Sequence, residues 1–171
     1  MTLRNYLFAA LAGLALVPLV PALVRAQEDQ AARERTYCAS NLKQLSIGIM
    51  MYVQDYDETY PPAGKWQSGV IPYVKNRKVF QCPSDTGSGS YAFNKALGGT
   101  SLAFIRNPAT TAALFESDLH KPNAFGLAKD AVLNRHPGGS NWGFADGHVK
   151  QLTTAPAFGP IDTPKKTGRK R

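Results

Sequence analysis

The chain has 171 residues, 43% of them apolar and 19% charged, with a formal net charge of +8. That length allows at most one ordinary domain with appendages. Five of the positive charges (Lys165, Lys166, Arg169, Lys170 and Arg171) sit in the tail, leaving a body near +3 and excluding a domain built as a strongly basic nucleic-acid binder.

From Tyr6 to Val24 no residue is charged. As a helix this run would be roughly 28 Å long at 1.5 Å per residue, against a hydrocarbon core of roughly 30 Å. Residues 1–26 therefore read as a membrane anchor or as a secretory signal peptide. A cut after Ala26 would use Val24 and Ala26 as the small-residue positions, with Pro21 ending the apolar helix before them. The anchor reading instead lets the helix continue through Gln27–Arg35, which is rich in helix formers. Arg4 precedes the run, and Arg25, Arg33 and Arg35 follow it among Glu28, Asp29 and Glu34, so the flanking charges give little help with its orientation. Either reading puts the residues after Val24 outside the cytoplasm.

Between Cys38 and Tyr56 the apolar positions Cys38, Leu42, Leu45, Ile49, Tyr52 and Tyr56 step alternately by four and three. This spacing predicts an amphipathic helix with that stripe buried, widened by Met50, Met51 and Val53, and stopped before Pro61-Pro62. Cys38 and Cys82 are the only cysteines. In an exported chain the simplest reading is a disulfide. Two buried thiols or a zinc site are the alternatives, the latter weakened by the lack of short ligand spacing.

Further along, Trp66–Val74 predicts a short helix or turn, Val79–Cys82 a brief extended segment, and Thr86–Ser90 a loop. Tyr91–Asn94 reads as a strand, Pro108–Glu116 as a central strand, Lys121–Leu127 as a loop and Val132–Arg135 as a short strand. His136-Pro137-Gly138-Gly139 reads as a turn feeding a hairpin. Asp146-Gly147, set between Asn141–Ala145 and His148–Leu152, signals a two-residue connection with positive φ at both positions. Val149 and Leu152 are the candidates for its buried face. The predicted class is α+β, a long N-terminal helix packed on a small antiparallel sheet ending in a β-hairpin.

The residues with chemical reach are Glu116, Asp118, His120, His136, Asp146 and His148. Histidine with carboxylates can hold a divalent metal, and Glu116, His136 and Asp146 form the candidate metal set. Set against it is a structural role, with His136 capping the hairpin or bonding to Asp146 beside Gly147. Catalysis is the weakest reading. No serine lies in a nucleophile-elbow pattern, and neither a phosphate-cradling glycine loop nor a basic stripe with interleaved aromatics is present. No cofactor is implied beyond a candidate divalent metal.

The ordered set CASNLKQLSIGIMMYVQDYDETYPP, VIPYVKN, VFQCPSD and SYAFN, then His136 with nine residues before Asp146-Gly147, resembles the type IV pilin-like or pseudopilin-like proteins whose C-terminal region is the prepilin-type processing-associated H-X9-DG domain. The resemblance implies a pilin-like fold, with an N-terminal hydrophobic helix half in membrane and half on a sheet. It also implies a relation to type II secretion or type IV pilus machinery in a bacterial envelope. Such proteins start with a short basic leader and a run containing isoleucine and glutamate, where this chain has Arg4 and Asn5; processing by a prepilin peptidase and filament assembly through that glutamate are therefore not expected. The resulting plan is an anchor or signal over 1–26, a pilin-like domain over 27–155 and a basic disordered tail over 156–171. Its function would be that of a non-enzymatic envelope protein, the alternative being a secreted metal- or ligand-binding module using Glu116, His136 and Asp146. Its partners would be the membrane and pilin-like or secretion-machinery subunits, with no specific nucleic acid.

Overall fold

The computed structural model describes residues 19–159. Most of the apolar run and the end of the basic tail lie outside them, as does the start Met1–Asn5. No described helix is long and apolar enough to cross a membrane.

Helix α1 spans Leu19–Asp55 without interruption, Pro21 lying within its first described turn. Its two halves differ in environment. Side chains described from Pro21 to Gln30 are all exposed, whereas Cys38, Leu42, Leu45, Ile49 and Val53 are buried. The expected stripe holds as far as Ile49. Beyond it Val53 faces the core, Tyr52 is half-buried and Tyr56 is 53% exposed, the two tyrosine rings stacking at 4.1 Å. A four-three alternation averages 3.5 residues while the helix turns every 3.6, so the far end of such a stripe rotates off the buried face. Asp57 and Glu58 then adopt φ of 49° and 56°, so a left-handed pair ends the helix ahead of the prolines.

A one-turn helix α2 (Trp66–Val70) runs into a 3-10 helix over Ile71–Tyr73. Val79–Cys82, expected to be extended, lies partly in a second 3-10 helix over Arg77–Phe80. Its cause is Asn76, whose side chain accepts the Lys78 N–H and so turns the backbone.

Strands β1 (Tyr91–Asn94), β2 (Ala112–Glu116), β3 (Phe125–Gly126), β4 (Ser140–Phe144) and β5 (Val149–Leu152) form one sheet in the order β3-β1-β2-β4-β5. The sheet is mixed, because β3 runs parallel to β1 while the other neighbours are antiparallel. The expected all-antiparallel sheet is corrected by this two-residue strand, too short to carry a periodic signal. Strand β2 begins later than the expected Pro108, because Thr110 and Thr111 donate back to the Asn107 carbonyl in a turn. Val132–Arg135 is not a strand, although the Val132 N–H donates to the Glu116 carbonyl at 2.9 Å.

Both faces of the sheet are covered. On one, Tyr91, Phe93, Ala113, Leu114 and Ala145 pack with α1, Tyr60, Trp66 and Val79. On the other, Ala92, Ala112, Phe115, Trp142 and Phe144 pack with Ala124, Leu119, Leu152 and Phe158. Val149 and Leu152 therefore serve opposite layers, as residues three apart on a strand must. The chain remains part of the domain past the expected boundary at 155. Ala157 accepts the Ala112 N–H at 2.7 Å, and the Phe158 ring meets Phe115 edge-on at 5.3 Å.

Candidate functional site

Where the root of α1 crosses the sheet, four separate segments converge. Cys38 comes from the helix, Cys82 from the loop after the second 3-10 helix, Glu116 from the last position of β2 and His136 from the turn before β4. The turn is fixed by its own sequence. His136 and Gly139 exchange backbone hydrogen bonds of 3.1 and 3.0 Å around Pro137-Gly138, with Gly138 at φ +85°. Proline followed by a positive-φ glycine is the requirement of a type II turn. Gly139 is tighter still: a Cβ there would lie 2.3 Å from the Leu152 carbonyl oxygen.

Cys38 and Cys82 are joined in a disulfide with Cα atoms 5.2 Å apart. Beside it, His136 Nε2 lies 2.9 Å from Glu116 Oε1 and 3.7 Å from Cys82 Sγ. The Glu116 side chain is fully buried and that of His136 is 1% exposed. Asn141 completes the carboxylate's shell, its backbone N–H donating to Oε2 and its side-chain amide to Oε1, each at 3.1 Å. On the other side of the ring, Ser84 Oγ lies 3.4 Å from Nδ1 and donates at 2.7 Å to Glu34 Oε2 on α1. That bond, with a second from Gln30, holds the Glu34 carboxyl below the usual range.

Donor counting fixes the protons. Ser84 has one hydrogen, directed to Glu34, so its oxygen accepts from Nδ1–H. Nε2 faces a carboxylate that offers only lone pairs, so a proton lies between Nε2 and Glu116. Glu34, Ser84, His136, Glu116 and Asn141 thus form one relay of bonds linking helix, loop and sheet. Tyr91, buried next to it, has its phenol pushed well up by burial and by the Glu116 charge.

The six residues singled out from sequence separate into three groups. Glu116 and His136 are together. Asp118 and His120, both exposed, meet the nearly buried side chains of Asp85 and Arg135: His120 Nε2 is 3.0 Å from Asp85 Oδ1, and Arg135 bonds Asp118 and approaches Asp85 at 3.4 Å. Asp146 pairs with His148, whose Nδ1 is 2.6 Å from Oδ1. The expected set of Glu116, His136 and Asp146 is therefore not assembled. His136 and Asp146 flank β4 at opposite ends, and five extended residues span roughly 17 Å. Nor does His136 bond to Asp146 to fix the turn.

Comparison with known protein families, characterised proteins and solved structures finds no match.

The Asp146-Gly147 connection also differs from the two-residue form. Gly147 has φ +87° but Asp146 is not at positive φ, and the Gly147 N–H donates to the Phe144 carbonyl while Phe144 N–H donates to His148. This is a three-residue loop with a left-handed glycine at its close. Asp146 accepts the His148 N–H at 3.1 Å. Burial pushes its carboxyl up, but the His148 backbone and ring outweigh that and hold it below the usual range. The His148 ring stacks on Phe144 at 4.2 Å.

Among the described residues, two groups have the donor atoms for a cation, Cys38-Cys82-Glu116-His136 and Asp85-Asp118-His120. In the first, the sulfurs are bonded to each other. The second already contains the Arg135 guanidinium as its cation. His136 is 4% exposed, so a substrate could reach its ring only by displacing the side chains over it. The signals sequence reading missed are Ser84, Glu34 and Asn141, polar residues of types common on any surface.

Proposed function

We propose that the chain is a non-enzymatic bacterial envelope protein, a pilin- or pseudopilin-like subunit or accessory component related to type II secretion or type IV pilus machinery. The observation that carries this reading is the division of α1. Its second half is buried on the sheet, while its first half stands clear of it and leaves Leu23 and Val24 exposed. From Leu19 to Arg33 the free stretch is about 22 Å long, and in sequence it overlaps the end of the uncharged run that begins at Tyr6. A helix that is apolar at one end and packed on a sheet at the other suits a domain held at a membrane surface. The Cys38–Cys82 bond supports placement outside the cytoplasm, where disulfides persist. The buried relay then serves to lock the helix root, the Pro83–Asp85 loop and the β4 turn together.

The decisive measurement is the mature N-terminus by mass spectrometry, combined with carbonate extraction of envelope fractions. A carbonate-resistant product retaining the apolar run is expected. A fully soluble product beginning at Gln27 would reject the anchored subunit.

A further inference from the structure

We propose that the thiol form of this chain holds one zinc ion, or a comparable borderline divalent cation, between Cys38 Sγ, Cys82 Sγ, His136 Nε2 and one oxygen of Glu116. The site does not depend on the envelope role. Ligand atoms of these four residues lie within 4.8 Å of one another, and all four residues are buried. Two thiolates, one imidazole and one carboxylate are a donor set suited to tetrahedral zinc, with no position left for water.

The spacing is already close to what the metal needs. Bond lengths of about 2.3 Å to sulfur and about 2.0–2.1 Å to nitrogen and oxygen put neighbouring S and N about 3.6 Å apart, and N and O about 3.3 Å apart, at a tetrahedral centre. Cys82 Sγ is 3.7 Å from His136 Nε2, and Nε2 is 2.9 Å from Glu116 Oε1. The histidine and glutamate need to separate by a few tenths of an ångström. The two sulfurs, once reduced, must open to about 3.8 Å.

The outer shell is also in place. Metal-bound histidines commonly donate their other ring N–H to an oxygen that fixes tautomer and orientation. Here Nδ1 is directed at Ser84 Oγ, itself oriented by Glu34, which leaves Nε2 facing the sulfurs and Glu116. Asn141 orients the carboxylate through two bonds. The proton between Nε2 and Oε1 marks where the cation's charge would replace it.

The disulfide and the metal exclude each other. A dithiol reductant transfers two electrons and two protons to Cys38–Cys82, breaking the S–S bond to give two thiols and becoming a disulfide itself. Zinc binding then releases three protons, one from each thiol and the one shared by His136 and Glu116. The same four residues thus cross-link α1, the Cys82 loop, β2 and the β4 turn in either redox state.

The test uses the full-length chain, purified natively and compared in oxidised and phosphine-reduced forms under argon, with Co2+ as the spectroscopic probe and Zn2+ in competition with a chromophoric chelator. The reduced form is expected to bind one Co2+ per chain with thiolate charge-transfer absorption and the intense visible bands of a tetrahedral centre, displaced by Zn2+; the oxidised form should show neither. Ser84→Ala, which leaves all four ligands intact, should weaken Zn2+ roughly 10–100-fold, and His136→Ala by at least the upper end of that range. Any one of three results overturns the site. These are equal binding by oxidised and reduced chains, a reduced chain that binds no stoichiometric metal, and thiolate absorption unaltered in affinity by both substitutions, which would mean metal held by the two cysteines of an unfolded chain.

Discussion

Removing the Glu116 carboxylate should be among the most damaging single changes available in the described domain. Glu116→Ala leaves three buried donors without their acceptor: His136 Nε2–H, the Asn141 N–H and, apart from a 3.4 Å contact to the Arg35 carbonyl, the Asn141 amide. Breaking one side of a buried ion pair costs roughly 3–5 kcal/mol, and each neutral buried donor left unpaired costs roughly 1–3 kcal/mol. These overlap, because the side chains can shift, so the expected loss is about 4 kcal/mol against a typical total of roughly 5–15 kcal/mol. For a domain of this size that lowers Tm by about 10–15 °C. Glu116→Gln keeps an acceptor for the Asn141 N–H and can donate to a neutral His136, so it should cost only about 1–2 kcal/mol. Urea unfolding with the disulfide intact, followed by the fluorescence of the fully buried Trp66 and Trp142, measures both. A loss below about 1 kcal/mol for the alanine variant would refute the relay as a source of stability.

Gly139→Ala should destabilise more than Gly147→Ala, since the first puts a Cβ against backbone and the second against the flexible Met50 side chain at 3.0 Å; thermal melts rank them. Gly147→Val, a β-branched residue at φ +87°, should cost about 2 kcal/mol in the same assay, and an unchanged Tm would contradict the loop geometry. Reducing Cys38–Cys82, separated by 44 residues, should cost about 4 kcal/mol in the chain-entropy model, measured with a chelator present so that no metal substitutes for the bond. Asp85 lies low because, although burial pushes its carboxyl up, the Gly87 N–H, the Ser90 hydroxyl and Arg135 together outweigh burial. Its contribution is therefore complete above the unfolded carboxylate value of about 3.9 and disappears as pH falls through the lower folded value. Tm measured downward from pH 5 should fall less steeply for Asp85→Asn than for the parent, and identical slopes would remove Asp85 from the acid transition.

The α1 stripe was legible in sequence from Cys38 to Ile49 because one face is apolar and the other polar. Strands β1, β2 and β4 are buried at every position, so a simple in-out alternation could not report their faces. What located them was the alternating residue character of Tyr91–Asn94, the apolar run ending at Glu116 and, for β4, the Asp146-Gly147 signal that follows it. Strand β3 carried no such signal. At the site, His136 stood out as a histidine before a proline-glycine turn, and its grouping with Glu116 is met through the β2–β4 pairing, whereas proximity in sequence also drew in Asp146, which lies across β4. Glu34 and Ser84 became visible only when α1 and the Pro83 loop were placed side by side, since no spacing rule links residues 50 positions apart.

The position of the disulfide has a mechanical meaning. The free stretch of α1 is a handle, and Cys38 is the first fully buried residue at its base. A pull along that handle enters the domain where a covalent bond already ties the helix to the Cys82 loop. The load then passes to the backbone leading from Cys82 into β1, and the apolar seam between α1 and the sheet is spared from peeling turn by turn.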